Sequence, residues 1–292
     1  MSENWFTPVK APETAARLRS GAGITSLGSC FAERLAEYLT AGGAAVRGNP
    51  CGIVYNAVSM ARSMRHLALG REYREEDFFE RDGWWFSWEH HGSFARRDAA
   101  EAAACCNAAM REFRAALETA ELMILTFSSS VVYEHCASGA VVANCHKMPG
   151  TLFRKRILSC AENRAAIRSL LRSVRRVRPG LRVVMTLSPV RHYPGDLVLN
   201  ARSKANLLAA IHECTDDERN LYFPAYEIMN DELRDYRFYG DDMLHLSERA
   251  AELICRRFVE HWFTPEALAR IDEQRRLARQ AAHRPIHGSG DA

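Results

Sequence analysis

Two distant stretches of this chain carry side chains suited to moving an acyl group. Gly28-Ser29-Cys30 sets two nucleophile-capable groups where an apolar run, Ile24 to Leu27, gives way to an amphipathic helix. Phe31, Leu35 and Leu39 recur at helical spacing, with Glu33, Arg34 and Glu37 on the other side. A side chain at such a junction stands on a rigid edge and feels the positive end of the helix dipole. For a thiol, that position favours a lowered pKa and more thiolate. The competing reading makes Cys30 a small buried filler between strand and helix, because cysteine is among the most buried residue types. Far downstream, Asp242-Met243-Leu244-His245 offers the other two parts. A weak nucleophile needs a base, and the base needs a third group to orient it. Three residues of separation let the carboxylate fold back on the imidazole and fix its tautomer. Asp-x-x-His alone is common; paired with a nucleophile at a strand-to-helix turn it becomes informative.

The elements that must bring these stretches together alternate in type. Strands are expected near 23–28, 121–127, 181–187 and 221–223. Helices are expected after Cys30 up to Gly42-Gly43, and over 57–68, 98–119, 160–177, 199–214 and 225–235. A further helix follows Ser247 as N-cap, a charged one spans 264–281, and residues 284–292 look frayed. Strands alternating with helices imply an α/β fold whose parallel sheet is covered on both faces. In such sheets ligands bind beyond the carboxyl ends of the strands. Three strands end in polar clusters: Gly28-Ser29-Cys30, Ser128-Ser129-Ser130 and Ser188 to His192. His91, His146 and His192 are therefore candidates for substrate contact, against the plainer reading of structural loop histidines. Residues 71–98, crowded with aromatics around an Asp82-Gly83 turn, are expected to form an inserted hairpin. It serves either as a flap over the strand edge, with His91 at its inner end, or as a small core of its own. Alternation puts Trp84 and Trp88 on one face and Trp85 on the other.

Bulk properties narrow the function classes. With 292 residues, 47% hydrophobic and 26% charged, the chain is long enough for a full core in one large or two small domains. A net charge of +3 argues against a dedicated nucleic-acid binder, although Arg172, Arg175, Arg176, Arg178 and Arg182 form a local basic cluster. The N-terminus carries no secretory pattern, and no apolar run approaches a membrane span. Nine scattered cysteines without a pairing framework fit reduced thiols in the cytoplasm. A zinc site using Cys145 and His146 is the metal-dependent alternative; no metal or other cofactor is expected in the main reading.

The motifs together resemble a known family. Gly28-Ser29-Cys30-Phe31-Ala32 is similar to the signature of GSCFA-domain proteins, which are related to the SGNH (GDSL-type) hydrolases. The resemblance continues through Gly52 to Asn56, Trp88 to Phe94, Val132-Tyr133-Glu134, Val142 to Lys147, Ser188 to His192 and Asp242 to Leu246. It covers residues 20–262, with 71–98 as an insertion and 263–292 as a charged helical tail. It implies a three-layer α/β/α fold of flavodoxin-like type, with Asp242 and His245 as catalytic acid and base. In the Gly-Asp-Ser register of the superfamily, Cys30 takes the nucleophile position and Ser29 the Asp position; Ser29 stays open as the alternative nucleophile. Backbone N–H groups of Ser29 or Cys30, with Ser129 or Asn144 as side-chain donors, are oxyanion candidates, and Asn56 is a further candidate on the substrate side. The implied activity is ester hydrolysis or O-acyl transfer on an acylated small molecule or carbohydrate, through an acyl-enzyme. The alternative is a noncatalytic glycan-binding or scaffold module on a degenerate fold.

Overall fold

Five parallel strands make the frame. They are β1 (Gly23–Gly28), β2 (Ala45–Gly48), β5 (Leu122–Phe127), β8 (Arg182–Leu187) and β9 (Asn220–Tyr222), in the spatial order β2-β1-β5-β8-β9. The computed structural model describes residues 7–11, 17–192, 195–216 and 218–282. Counted within the sheet, the order is 2-1-3-4-5, the doubly wound flavodoxin-like arrangement, and its switch point lies between β1 and β5. Register puts Gly28 beside Thr126, and Thr126 beside Thr186. Every residue of β5 is buried, as a central parallel strand with both faces covered requires.

The covering helices form two layers. On one face lie α2 (Ala57–Leu69), α3 (Ala99–Thr119), α4 (Cys160–Val177) and α5 (Leu197–His212), packing Met60, Phe113, Leu170 and Leu207 against Met123, Leu125 and Val183. On the other lie α1 (Cys30–Ala41), α7 (Glu248–Trp262) and α8 (Pro265–Ala282), packing Leu35, Phe258 and Ile271 against Ile24, Ile124 and Val184. Successive β5 residues alternate between these two cores, so the three-layer α/β/α fold follows from the pleat of one apolar strand. Helix α8 belongs to the second layer: Arg275 sets its guanidinium 3.5 Å over the Tyr38 ring. The expected fraying of 284–292 falls outside the described residues.

Two local expectations change. The segment 225–235 is not one helix: a single turn, α6 (Ala225–Glu227), leads into a wide turn in which the Leu233 N–H reaches back to Ile228 O at 2.8 Å. The region after Ser130 also holds an unanticipated antiparallel hairpin, β6 (Val131–His135) with β7 (Phe153–Ile157). The Phe153-Arg154-Lys155-Arg156-Ile157 run is too basic to suggest a strand. Arg154 and Arg156 are accommodated because both hydrogen-bond the Glu134 carboxylate across the ladder. The aromatic insertion does form the expected hairpin, β3 (Phe79–Arg81) with β4 (Trp84–Phe86), turning at Asp82 and Gly83, both at positive φ.

Candidate active site

The switch point is built around a glycine that nothing else can replace. Gly28 has φ +147°, and a Cβ there would lie 2.2 Å from Thr126 O, so β5 closes against bare backbone. Its N–H donates to Asn49 Oδ1 at 2.8 Å, and its carbonyl accepts the Val54 N–H at 3.0 Å, which holds the β2–α2 loop against the turn. Ser29 follows as the N-cap of α1, fully buried; its hydroxyl makes no cap bond and has no hydrogen-bond partner among the described residues. The Ser29 N–H is committed to Thr126 O at 3.2 Å, which removes it from the oxyanion donors that the sequence suggested. Cys30 opens the helix half-buried, and the backbone N–H groups of Phe31 and Cys30 itself bear on its sulfur.

The loop between α6 and α7 supplies the second half. Asp242 Oδ1 accepts the N–H groups of Leu244 and His245 at 2.9 Å each, and Oδ2 accepts a hydrogen bond from the His245 Nδ1–H at 2.6 Å. One carboxylate therefore shapes the loop and fixes the imidazole, leaving Nε2 as the ring atom available for chemistry. Met243 takes a positive φ of 57° to make this bend. The loop is tied to the sheet edge by the Arg191 N–H, which donates to Leu244 O at 3.0 Å, and by the Arg191 guanidinium 3.9 Å over Tyr239. Cys30 and His245 then line one cleft of about 270 Å³, together with Arg34, Val190 and Leu246. Among the described residues no hydrogen bond joins the two; they face one space, as partners awaiting a reactant between them do.

Electrostatics here differ from the sequence expectation. Burial pushes the Cys30 thiol up, and Glu33 adds to that; the Phe31 N–H and Lys204 pull it down without prevailing. The helix start does act as expected on the sulfur, but desolvation outweighs it. Asp242, at the surface, is held down to about 2 by its bonds to His245 and to the loop N–H groups. His192 shares a hydrogen bond between its Nε2 and Ser128 Oγ, and enclosure pushes it down to about 3, with Lys204 and His245 acting in the same direction.

This turn and loop both fall inside the stretch that matches the model of the GSCFA family, residues 23–258. The chain belongs to the GSCFA family. Among solved structures, a carbohydrate esterase family 3 from Talaromyces cellulolyticus is similar at a TM-score of 0.40 and 9% identity, over 86% of this chain and 99% of that one. No curated protein matches the sequence.

The remaining candidates of this GSCFA chain fall into two neighbouring hollows. Asn56, Ser129, Asn144 and His192 line one of about 370 Å³, with Tyr55, Tyr133 and Cys145. The Tyr55 and His192 rings meet edge-on at 5.4 Å, and Cys30 acts electrostatically on Tyr55. Several of these residues also do structural work. Asn56 caps α2 by accepting the Ser59 N–H at 2.8 Å, and the Ser129 hydroxyl accepts the Val131 N–H at 3.0 Å. The Asn144 side chain accepts the His146 N–H at 2.8 Å. His91 and His146 lie in another hollow, with Arg81, Trp84, Phe86 and Lys147; Asn144 borders both hollows. The His146 ring bonds Ser87 O at 2.8 Å, and His91 caps a short turn through Ser93, with its side chain seated on Gly52. No residue of 71–98 lines the Cys30 cleft, so the insertion does not form a flap over that sulfur. Its Trp88 stacks on Phe79 at 3.9 Å and also meets His135 and Phe153 of the second hairpin. The strand β4 has ended by then, so the simple two-face alternation of its tryptophans does not reach Trp88. Among the described residues no three His, Cys, Asp or Glu side chains cluster to hold a metal, and no helix is long and apolar enough to cross a membrane.

One residue escaped the sequence reading altogether. Lys204 of α5 is 2% exposed, donates its Nζ proton to Ser188 O at 2.7 Å, and acts electrostatically on both Cys30 and His192. The available signal was composition: only four of the 39 basic residues are lysines (10, 147, 155 and 204).

Proposed function

We propose that this GSCFA protein is an acyl-ester hydrolase or O-acyltransferase that works through a thioester on Cys30. One observation carries the reading: Cys30, at the switch point of the sheet, and His245, oriented by Asp242, face the same cleft. In the proposed cycle His245 Nε2 takes the thiol proton and Sγ attacks the ester carbonyl carbon. The oxyanion is received by the Cys30 and Phe31 N–H groups, which in the resting site bear on the sulfur. Collapse expels the alcohol, which leaves with the proton from His245, and a thioester remains. Water or an acceptor hydroxyl, deprotonated by the same His245, then attacks and restores the thiol. Asp242 holds the ring and stabilises the imidazolium at each stage. Cys30 is preferred to Ser29 because the Ser29 hydroxyl is fully buried while the thiol opens on the cleft.

The substrate class follows from the hollow beside Tyr55 and His192. Asn56, Ser129 and Asn144 line it with amide and hydroxyl groups, which suits a polyhydroxy alcohol such as an acylated sugar. A cytoplasmic setting belongs to the same reading, supported by nine cysteines without a pairing framework. The noncatalytic alternative, a glycan-binding module, is favoured by one feature, the upward push of burial on the Cys30 thiol. Incubation with p-nitrophenyl acetate followed by intact-protein mass spectrometry separates the two. One added acetyl group, absent in Cys30→Ala and kept in Ser29→Ala, is the expected result. Unmodified protein with no nitrophenol release would leave the binding module.

A further inference from the structure

The aromatic hairpin lines no part of the Cys30 cleft, yet it walls a hollow of its own, of about 370 Å³. In the antiparallel pair Arg81 lies opposite Trp84 and Phe79 opposite Phe86, so these four side chains share one side of the hairpin. Arg81, Trp84 and Phe86 line the hollow, and the Arg97 guanidinium lies 4.1 Å over the Trp84 ring without lining it. The turn Asn144 to Lys147 supplies further wall, with His146 and Lys147 both at positive φ, 48° and 55°. Two consecutive residues other than glycine in that region need neighbours to hold them. Arg81 Nη1 donates to His146 O, Asn144 Oδ1 accepts the His146 N–H at 2.8 Å, and His146 Nε2 donates to Ser87 O at 2.8 Å. Donors remain beyond these. Arg81 Nε reaches Asp82 Oδ2 at 3.2 Å, and its Nη2 has no partner among the described residues. Lys147 is exposed and makes no ion pair among the described residues. His91 accepts the Ser93 N–H at Nδ1, which leaves its Nε2 proton as another donor. Among the described residues the one carboxylate of this lining is Asp82, with 82% of its side chain exposed.

We propose that this hollow is a subsite for an anionic sugar unit, one bearing a carboxylate or a phosphate, in which Arg81 and Lys147 receive the anion and Trp84 and Phe86 the ring. A guanidinium with a free edge suits the oxygens of such an anion, and an ammonium adds a point charge. The two aromatic side chains offer flat apolar area that matches the C–H face of a pyranose. Burial pushes the His146 imidazole down against its bond to Ser87 O, and His91 and Arg81 act in the same direction as burial, so the charge that meets the anion is that of Arg81 and Lys147. A saccharide is favoured over a nucleotide because Asn144 is a wall common to the neighbouring hollow, which Tyr55, Asn56 and Ser129 line with hydroxyl and amide groups. Successive units of one glycan can use both sides of that wall. The inference rests on the acylated-sugar reading for its place in a reaction, but the binding itself makes no use of Cys30.

The test needs no turnover. In a 15N–1H spectrum of the full chain, the Trp84 indole N–H, assigned by its loss in Trp84→Phe, reports occupancy of the hollow. The probes are glucuronic acid, glucose 6-phosphate, glucose and AMP. At least one of the two sugar anions should shift the signal with a Kd about tenfold or more below that of glucose, because contacts to a charged group are the stronger ones. The tighter of the two identifies the anion. Lys147→Met, at an exposed position, should weaken that ligand about fivefold and leave glucose unaffected; Arg81→Gln should weaken it further. Equal affinity for glucose and both anions, no shift with either anion, or parental anion affinity in Lys147→Met overturns the proposal. AMP binding more tightly than both sugar anions overturns it as well. Charge-selective binding in a protein that p-nitrophenyl acetate does not acylate would uphold the subsite and defeat the acyl-transfer reading; acylation at Cys30 without charge selectivity would do the reverse.

Discussion

Two loops approach Cys30 from the carboxyl edge of the sheet, each bearing a histidine, and they treat it in opposite ways. His245 is exposed, 58% of its side chain, and bound to a carboxylate at 2.6 Å. His192 is half-buried, bound to a serine hydroxyl, and pushed down to about 3. A base must accept a proton at neutral pH and keep it long enough to return it. Asp242 orients the His245 ring through a direct hydrogen bond, whereas enclosure and Lys204 oppose an imidazolium at His192. The same residue type on the same edge is thus exposed and carboxylate-bound on one side, as the proposed base requires, and enclosed in neutral hydrogen bonding on the other. The two loops are joined by Arg191, so the difference lies in local solvation and partners, not in placement along the sheet.

The largest expected effect tests that contrast. Turnover of p-nitrophenyl acetate should fall at least about a thousandfold in Cys30→Ala and His245→Ala, and about a hundredfold or more in Asp242→Asn. His192→Gln should lose less than about tenfold in the same assay. Equal losses at the two histidines would break the comparison.

A pH effect comes next. The folded His192 titrates near 3, below its ordinary 6.5. Between those values the unfolded chain holds the extra proton, so this group makes stability rise with pH across the window and fall as pH drops through it. In His192→Gln the urea midpoint should therefore change less between pH 4.5 and 7 than in the parent. A steeper change would place the pH dependence elsewhere.

The third test concerns the insertion. Trp88 joins the two hairpins, so Trp88→Ala should cost about 2–3 kcal/mol in urea unfolding. Exposed Trp84, in contact with the Arg97 guanidinium at 4.1 Å, should cost well under 1 kcal/mol when replaced by Ala. The smallest effect is expected at Ser29. Its hydroxyl has no partner to lose, so Ser29→Ala should leave both turnover and melting temperature near the parent values. A large loss of turnover there would return the nucleophile to Ser29.

What the sequence determined by itself is the material that local rules govern. The apolar run of β5, the glycine stop after α1, the Asp82-Gly83 turn and the Ser247 cap each depend on neighbours a few residues away, and each is where the pattern put it. Asp242 bonding His245 is likewise a three-residue affair. Tertiary packing decided the rest. Whether a thiol at a helix start is raised or lowered depends on how much water its neighbours exclude, and burial prevailed at Cys30. Which side chain of the Ser29–Cys30 pair is walled off depends on β5 closing against Gly28, and the aromatic hairpin packs through Trp88 on a second hairpin whose basic strand gave no apolar signal. Lys204 is the clearest case. Its neighbours in sequence mark an ordinary helix position, and only the docking of α5 on the strand edge turns that position into a buried amine bonded to Ser188 O.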